Sequence, residues 1–423
     1  MFHTPIHGGR VAILGTSLVQ QNHFADHRQI WSWARGWSTW AEVLSGGRLD
    51  IAVFHDPSVQ PGWEPSGRAG VTRGFGGLNC GVSGQKAHDI ERRLDQVLAL
   101  DFDLILVDAG TNDMMFETKE AIAATRQRIV DCLLEAGKTV ILLPILARGT
   151  EKWAAGGAER AKANWINRKT IELARCRRGC HVFDWNAHWV DPLSEFGTPK
   201  KNFSDDGTHF SIAGGYAVGK ALARYLAQFL SPVVPRIVSR DDRFEALLNP
   251  LGNLMENPEC LVTENLQDFL AAENRTEKLC CSVRYPSMEE SRALELSLEE
   301  GSAVFHCTDR HFHHNLPAGS WVQAACCVNV GPHQGWREIS LTLREDADDA
   351  LTSVALAPFV LGDGTFAQYP AEGWSGLLKT PPIKLRTSGG LLHMDLKLQV
   401  EKGSDPATIR ICDLDLRQIY VNR

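Results

Sequence analysis

The sequence predicts an α/β unit, a parallel sheet covered by helices on both faces, followed by an all-β sandwich of jelly-roll type. Three features predict it. Short β-rich runs alternate with helical stretches up to about residue 232, a proline-rich break follows, and from Leu294 onward the hydrophobic period shortens to two.

The first unit is read element by element. Val11-Ala12-Ile13-Leu14, Leu49 to Phe54, Leu104 to Val107, Val140 to Leu143 and His181-Val182-Phe183 are short β-rich runs and read as the strands of a parallel sheet covered on both faces. Between them Ala87, Ile90, Leu94, Val97 and Leu98 share one helical face. Ile122, Ile129, Leu133 and Leu134 share another, and Gly137 stops that helix. Ala213 to Leu230 is expected to close the unit as a helix.

Ser231-Pro232-Val233-Val234-Pro235 cannot continue that helix, because proline lacks the amide donor and clashes with the preceding turn. The expected division is therefore residues 1–232, a linker over 233–245, and a second unit over 246–423. In the second unit Leu294 to Leu298, Val304 to His306, Trp321 to Val330, Ile339 to Leu343, Leu391 to Val400 and Ile409 to Ile419 read as strands separated by Gly, Pro and Asp turns.

Composition narrows the function. The chain has 423 residues, 43% hydrophobic and 22% charged, enough to bury a core in each unit. A formal charge of −7 with scattered Lys and Arg offers no basic stripe, so nucleic acid is not expected as a partner. No apolar run approaches the ~18 residues of a membrane helix. The run Val11 to Leu14 is too short and wrongly flanked for a secretory leader, so a cytoplasmic or virion-associated location is expected.

Eleven cysteines, two pairs of them adjacent (Cys280-Cys281 and Cys326-Cys327), do not form a disulfide-scaffold pattern and read as reduced. Cys176 and Cys180 lack a second ligand pair at zinc-finger spacing. His306, Asp309, His311, His313 and His314 are the one dense run of ligand-type side chains; a strand would put His311 and His313 on one face that can chelate a metal, but a solvated turn is the preferred reading. No metal or cofactor is assigned.

Four short segments carry chemistry. Gly15-Thr16-Ser17-Leu18 follows the first strand, where a sharp turn at the carboxyl edge of a parallel sheet exposes a side chain to the ligand crevice. Asn79-Cys80-Gly81-Val82-Ser83-Gly84 precedes a helix and can present the Gly84 amide. Gly110-Thr111-Asn112-Asp113 follows the strand ending near Asp108 and puts a carboxamide at the same edge. With the Ser17 amide these make three donors for a developing oxyanion. Asp206-Gly207-Thr208-His209 places a carboxylate three residues before an imidazole, which can fix the ring as a general base. Singly, each segment also reads as an ordinary cap or turn.

Together, in this order, the four segments resemble the blocks of the SGNH, or GDSL-like, hydrolase family over residues 8 to 232. The resemblance implies a flavodoxin-like sheet, Ser17 as nucleophile, His209 as base, Asp206 as its orienter, and Ser17, Gly84 and Asn112 as the oxyanion hole. One departure is that Thr16 stands where the family often has Asp. No Gly-x-Ser-x-Gly elbow points to the α/β-hydrolase alternative.

Trp37, Arg148 and Trp153 are candidate substrate contacts, with Trp31, Trp33, Trp40 and Trp63 as further aromatic faces. The combination with a sandwich resembles bacterial or phage-tail proteins that remove acyl groups from surface glycans. An acetylated carbohydrate is the expected substrate, and the second unit is expected to bind glycan or to assemble a homo-oligomer. The rival readings are a lipid or thioester hydrolase and a glycan-binding or virion structural module with little turnover.

Overall fold

The computed structural model describes residues 10–25, 28–49, 51, 54–55, 75–231, 238–239, 241–255, 258, 270–272, 281–284, 293–309, 311–347, 350–401 and 405–420. Trp63 and part of the expected linker lie outside the described residues. In chain order the first half runs β1 (Val11–Gly15), α1 (Ser17–Gln20), β2 (His23–Ala25), β3 (Gln29–Trp33), α2 (Trp37–Leu44), β4 (Phe54–His55), β5 (Phe75–Gly76) and β6 (Asn79–Gly81). It continues through α3 (Ala87–Glu91), α4 (Leu94–Leu98), β7 (Leu104–Val107), α5 (Lys119–Glu135), β8 (Thr139–Leu142), α6 (Ala158–Cys176), β9 (Cys180–Val182), α7 (Asn186–Trp189) and α8 (Ile212–Leu226).

The parallel sheet has the order β6-β1-β7-β8-β9. In terms of its own strands this is 2-1-3-4-5, the flavodoxin-like arrangement whose crevice opens at the carboxyl ends beside the first strand. Its second strand is β6, not the run Leu49 to Phe54. Leu49 and Ile51 are buried, yet β4 pairs in parallel with a strand of the other half, Ile383 lying opposite His55. A continuous apolar run marks burial and does not say in which sheet.

The second half comprises β10 (Leu270–Ala272), β11 (Cys281–Arg284), β12 (Leu294–Leu298), β13 (Gly301–His306), β14 (Trp321–Val330), β15 (Trp336–Asp346) and β16 (Leu351–Ala357). β17 (Trp374–Lys379), β18 (Ile383–Lys384), β19 (Leu391–Val400) and β20 (Ala407–Ile419) complete it. Two sheets result, β10-β13-β19-β15-β16-β3-β2 and β11-β12-β20-β14-β18-β4-β5. β19 alternates strictly between half-buried and buried positions, as a strand with one face on a core should.

Both large sheets are completed by strands from the first half of the chain. β3 pairs in parallel with β16, Gln29 opposite Thr352 and Trp31 opposite Val354, and β2 extends that edge. The Ala34 amide donates to the Ala357 carbonyl at 2.8 Å. Trp40 on α2 packs edge-on against Trp374 (5.1 Å), Tyr216 (5.0 Å) and Tyr369 (6.3 Å). Gly376 on β17 lies so close to α2 that a Cβ there would sit 2.6 Å from the Val43 side chain and carbonyl oxygen. One continuous apolar core therefore runs from the parallel sheet through α2 and α8 into the β-sheets. Residues 241–255 also dock onto β20, Asn253 donating to the Leu414 carbonyl at 2.8 Å.

Candidate active site

β1 ends where the crevice opens, and the turn after it depends on a glycine. A Cβ on Gly15 would lie 2.6 Å from the Val19 side chain and 2.7 Å from the Asp108 carbonyl oxygen. Thr16 then caps α1 in an extended conformation, which makes Ser17 the first helical residue. The Thr16 hydroxyl donates to Asp108 Oδ2 at 2.8 Å. Asp108 ends the run of β7 and is fully buried, and burial raises its carboxyl pKa. The acid absent at position 16 thus has a counterpart supplied by the neighbouring strand, a residue that sequence reasoning passed over.

The segment from Asp206 to His209 lies directly before α8, whose N-cap Ser211 accepts from the Gly214 amide. His209 Nε2 is 2.9 Å from Ser17 Oγ, and His209 Nδ1 is 2.7 Å from Asp206 Oδ2. The other carboxylate oxygen, Oδ1, accepts the backbone amides of Thr208 (2.9 Å) and His209 (2.7 Å). Burial works to raise the Asp206 pKa, but these amides and the ring donor outweigh it and hold the carboxyl well below the usual range. His209 is shifted down, first by burial and then by the cations Arg35 and Arg148, against the opposing pull of Asp206. The downward shift favours the neutral imidazole, the state a general base requires. Neighbouring Asp205 is raised by burial and by Asp206, and makes no bond to the ring.

The other two turns are tied to this one. The Val82 amide donates to the Gly15 carbonyl (2.9 Å), and the Ser83 amide donates to Gln20 Oε1 on α1 (2.8 Å). Gly84 follows at φ +79°, exposed, with nothing within 4 Å of where a Cβ would stand. Asn112 lies in a short turn after β7, and its Nδ2 donates to the Gln85 carbonyl at 2.9 Å. A carboxamide nitrogen carries two N–H groups, so one anchors the side chain and the second remains for a ligand. Arg93 braces the sheet edge from below. Its guanidinium donates to Gln85 Oε1 (2.8 Å) and the Cys80 carbonyl (2.6 Å), and burial lowers its pKa to about 10.

The proposed substrate contacts are placed less favourably. Trp37 is 1% exposed, donates its indole N–H to the Leu18 carbonyl and packs against Trp185, so it has no face to offer a ligand. Arg148 is buried, donates to Thr111 Oγ1 at 2.7 Å and lies 5.9 Å from the Trp153 ring centroid. Trp153 itself is 7% exposed. The accessible aromatic near Asn112 is Phe116, 70% exposed with the Lys86 ammonium 4.3 Å from its centroid. The run from His306 to His314 does not converge: His306 bonds Asp395, His313 bonds the Gly389 carbonyl, and the Leu316 amide donates to His314.

With this geometry in hand, residues 14–217 match the model of the GDSL-like Lipase/Acylhydrolase family. Similar solved structures include a GDSL-like lipase from Bacteroides thetaiotaomicron, 16% identical, covering 53% of this chain and 90% of its own, with a TM-score of 0.37. A carbohydrate esterase family 3 protein from Talaromyces cellulolyticus is 18% identical over 52% of this chain and 96% of its own, with a TM-score of 0.34. An acetyl-xylooligosaccharide esterase from Geobacillus stearmophilus is 18% identical over 52% and 94%, with a TM-score of 0.37. No curated protein matches the chain.

Proposed function

We propose that the protein is a serine ester hydrolase that removes a short acyl group, acetyl in the first instance, from a carbohydrate. The hydrogen-bonded chain Ser17–His209–Asp206, with 2.9 and 2.7 Å links, is the observation that carries the reading. Ser17 Oγ attacks the ester carbonyl as its proton passes to His209 Nε2. Negative charge forming on the carbonyl oxygen meets the free N–H of Asn112 and the amides of Ser17 and Gly84. His209 returns the proton to the leaving alcohol, and water then releases the acyl group from Ser17 by the same route.

Phe116 supports a sugar, since its ring is 70% exposed and an exposed aromatic ring can stack on a sugar. A lipid ester is the second reading, favoured by the exposure of Met115 (78%) and Leu193 (92%) as well as Phe116.

Hydrolysis of p-nitrophenyl acetate, butyrate and palmitate by the purified protein separates the readings. Preference for acetate is expected; a palmitate preference selects the lipid ester, and no turnover selects a binding module. Ser17→Ala is expected to lower kcat by roughly 10⁴ to 10⁶ while the melting temperature stays unchanged. Labelling by a phosphonate at Ser83 instead of Ser17 would overturn the nucleophile assignment.

A further inference from the structure

The C-terminal sheets hold a cluster of thiols and a carboxylate that plays no part in ester hydrolysis. Cys327 on β14 and Cys412 on β20 stand directly opposite each other in the antiparallel ladder. In regular pairing the next residue, Asp413, would point to the other face. It does not, because β20 bulges here. The two-residue step from Ala325 to Cys327 on β14 is matched by the three-residue step from Cys412 to Asp415 on β20. Asp413 takes φ +55°, a left-handed conformation that a short polar side chain tolerates better than most. One ligand atom from each of Cys327, Cys412 and Asp413 consequently lies within 4.8 Å of the other two.

We infer that Cys327, Cys412 and Asp413 form a binding site for a thiophilic divalent cation, zinc first. The donor set decides the class of ion. Two thiolates favour a borderline-soft metal over calcium or magnesium, which take oxygen ligands. Tetrahedral zinc, with Zn–S near 2.3 Å, sets neighbouring ligand atoms about 3.5 to 3.8 Å apart. Closure from the 4.8 Å limit is then about 1.0 to 1.3 Å at most, within reach of side-chain rotation. Cys327 and Cys412 are half-buried and Asp413 is exposed, so an ion can enter from solvent and keep a water as fourth ligand. Binding displaces one proton from each thiol, two in all, and changes no oxidation state. Such an ion would clamp β14 to β20 at the point where the bulge interrupts their ladder.

The test uses the full-length protein with its thiols reduced. Zinc titrated against a chromogenic chelator should bind with one equivalent at this site, and cobalt in its place should give the charge-transfer absorption of two thiolates. Zinc should also protect Cys327 and Cys412 of the unaltered protein from alkylation, read by mass spectrometry. Cys327→Ser and Cys412→Ser should each weaken binding by more than the roughly 10- to 100-fold that loss of an outer-shell partner costs. Asp413→Asn should weaken it less and retain the sulfur band. Cys176→Ser, at an exposed position on α6, should leave binding unchanged. Hydrolysis of a small ester reports that each variant is folded. Absence of stoichiometric zinc or of protection, or undiminished binding in a folded Cys327→Ser, would overturn the site. So would a Cys327–Cys412 disulfide found after trapping thiols in freshly lysed cells, which would make the pair a covalent link.

Discussion

The edge of the parallel sheet and the junction between the two halves are built on opposite plans. At the edge, each candidate group lies on a short turn next to a strand or helix end, and few bonds span the gaps, such as Ser83 to Gln20 and Asn112 to Gln85. At the junction, strands more than 300 residues apart share a sheet, as Gln29 and Thr352 do, and Trp40 lies among side chains from both halves. The difference teaches that the chemistry rests on local geometry while the stability of that geometry rests on distant chain. A division at residue 232, natural in the sequence, runs through one core.

The sharpest way to break this comparison is to cut the chain there. Residues 1–232 alone would expose Trp40, Val43 and the paired edge of β3, and loss of a single buried Trp contact costs about 3–5 kcal/mol, a large part of a typical stability. Hydrolysis of small esters and of polymers is expected to disappear together, with the fragment aggregating. A soluble fragment that still hydrolyses p-nitrophenyl acetate would show that the junction is an accessory contact.

Next in size is the choice between adjacent acids. Asp206→Asn should lower kcat by about 10⁴, the order seen when a triad carboxylate is neutralised, without lowering the melting temperature. Asp205→Asn should be mild, because only Asp206 reaches the His209 ring. The reverse ranking in steady-state kinetics would reassign the orienting residue.

If Asn112 serves the proposed oxyanion hole, Asn112→Ala should lower kcat by roughly 10² to 10³ with little change in KM, since such a donor acts on the transition state more than on the substrate. An unchanged kcat removes Asn112 from the oxyanion hole.

The smallest expected effect concerns pH. His209 must be neutral to act as base, so kcat/KM should fall as pH drops through a pKa lying below the usual imidazole value. Arg35→Met removes a cation that helps lower that pKa, so the acid limb should move to higher pH with the plateau nearly retained. A limb that stays in place, or moves to lower pH, would show that Arg35 does not act on the imidazole.

The sequence by itself determined the α/β class, the four turn segments and most long strands of the second half, because each is written in local terms. Apolar runs mark buried strands, Gly15 permits a turn, and Asp206 and His209 are three residues apart. Tertiary structure alone decided which strands pair. Leu49 to Phe54 reads as a parallel-sheet strand, yet β6 takes that place and β4 joins the other half. Likewise Trp37 reads as a ligand platform, and only packing shows that it is core. Asp108 and Arg93 gave no sequence signal, since a buried charge is recognised by the partners that surround it. Cys327 and Cys412, distant in the chain, meet only through strand register and a bulge. Long-range pairing follows from the total burial it achieves, a property of the folded chain and of no short segment within it.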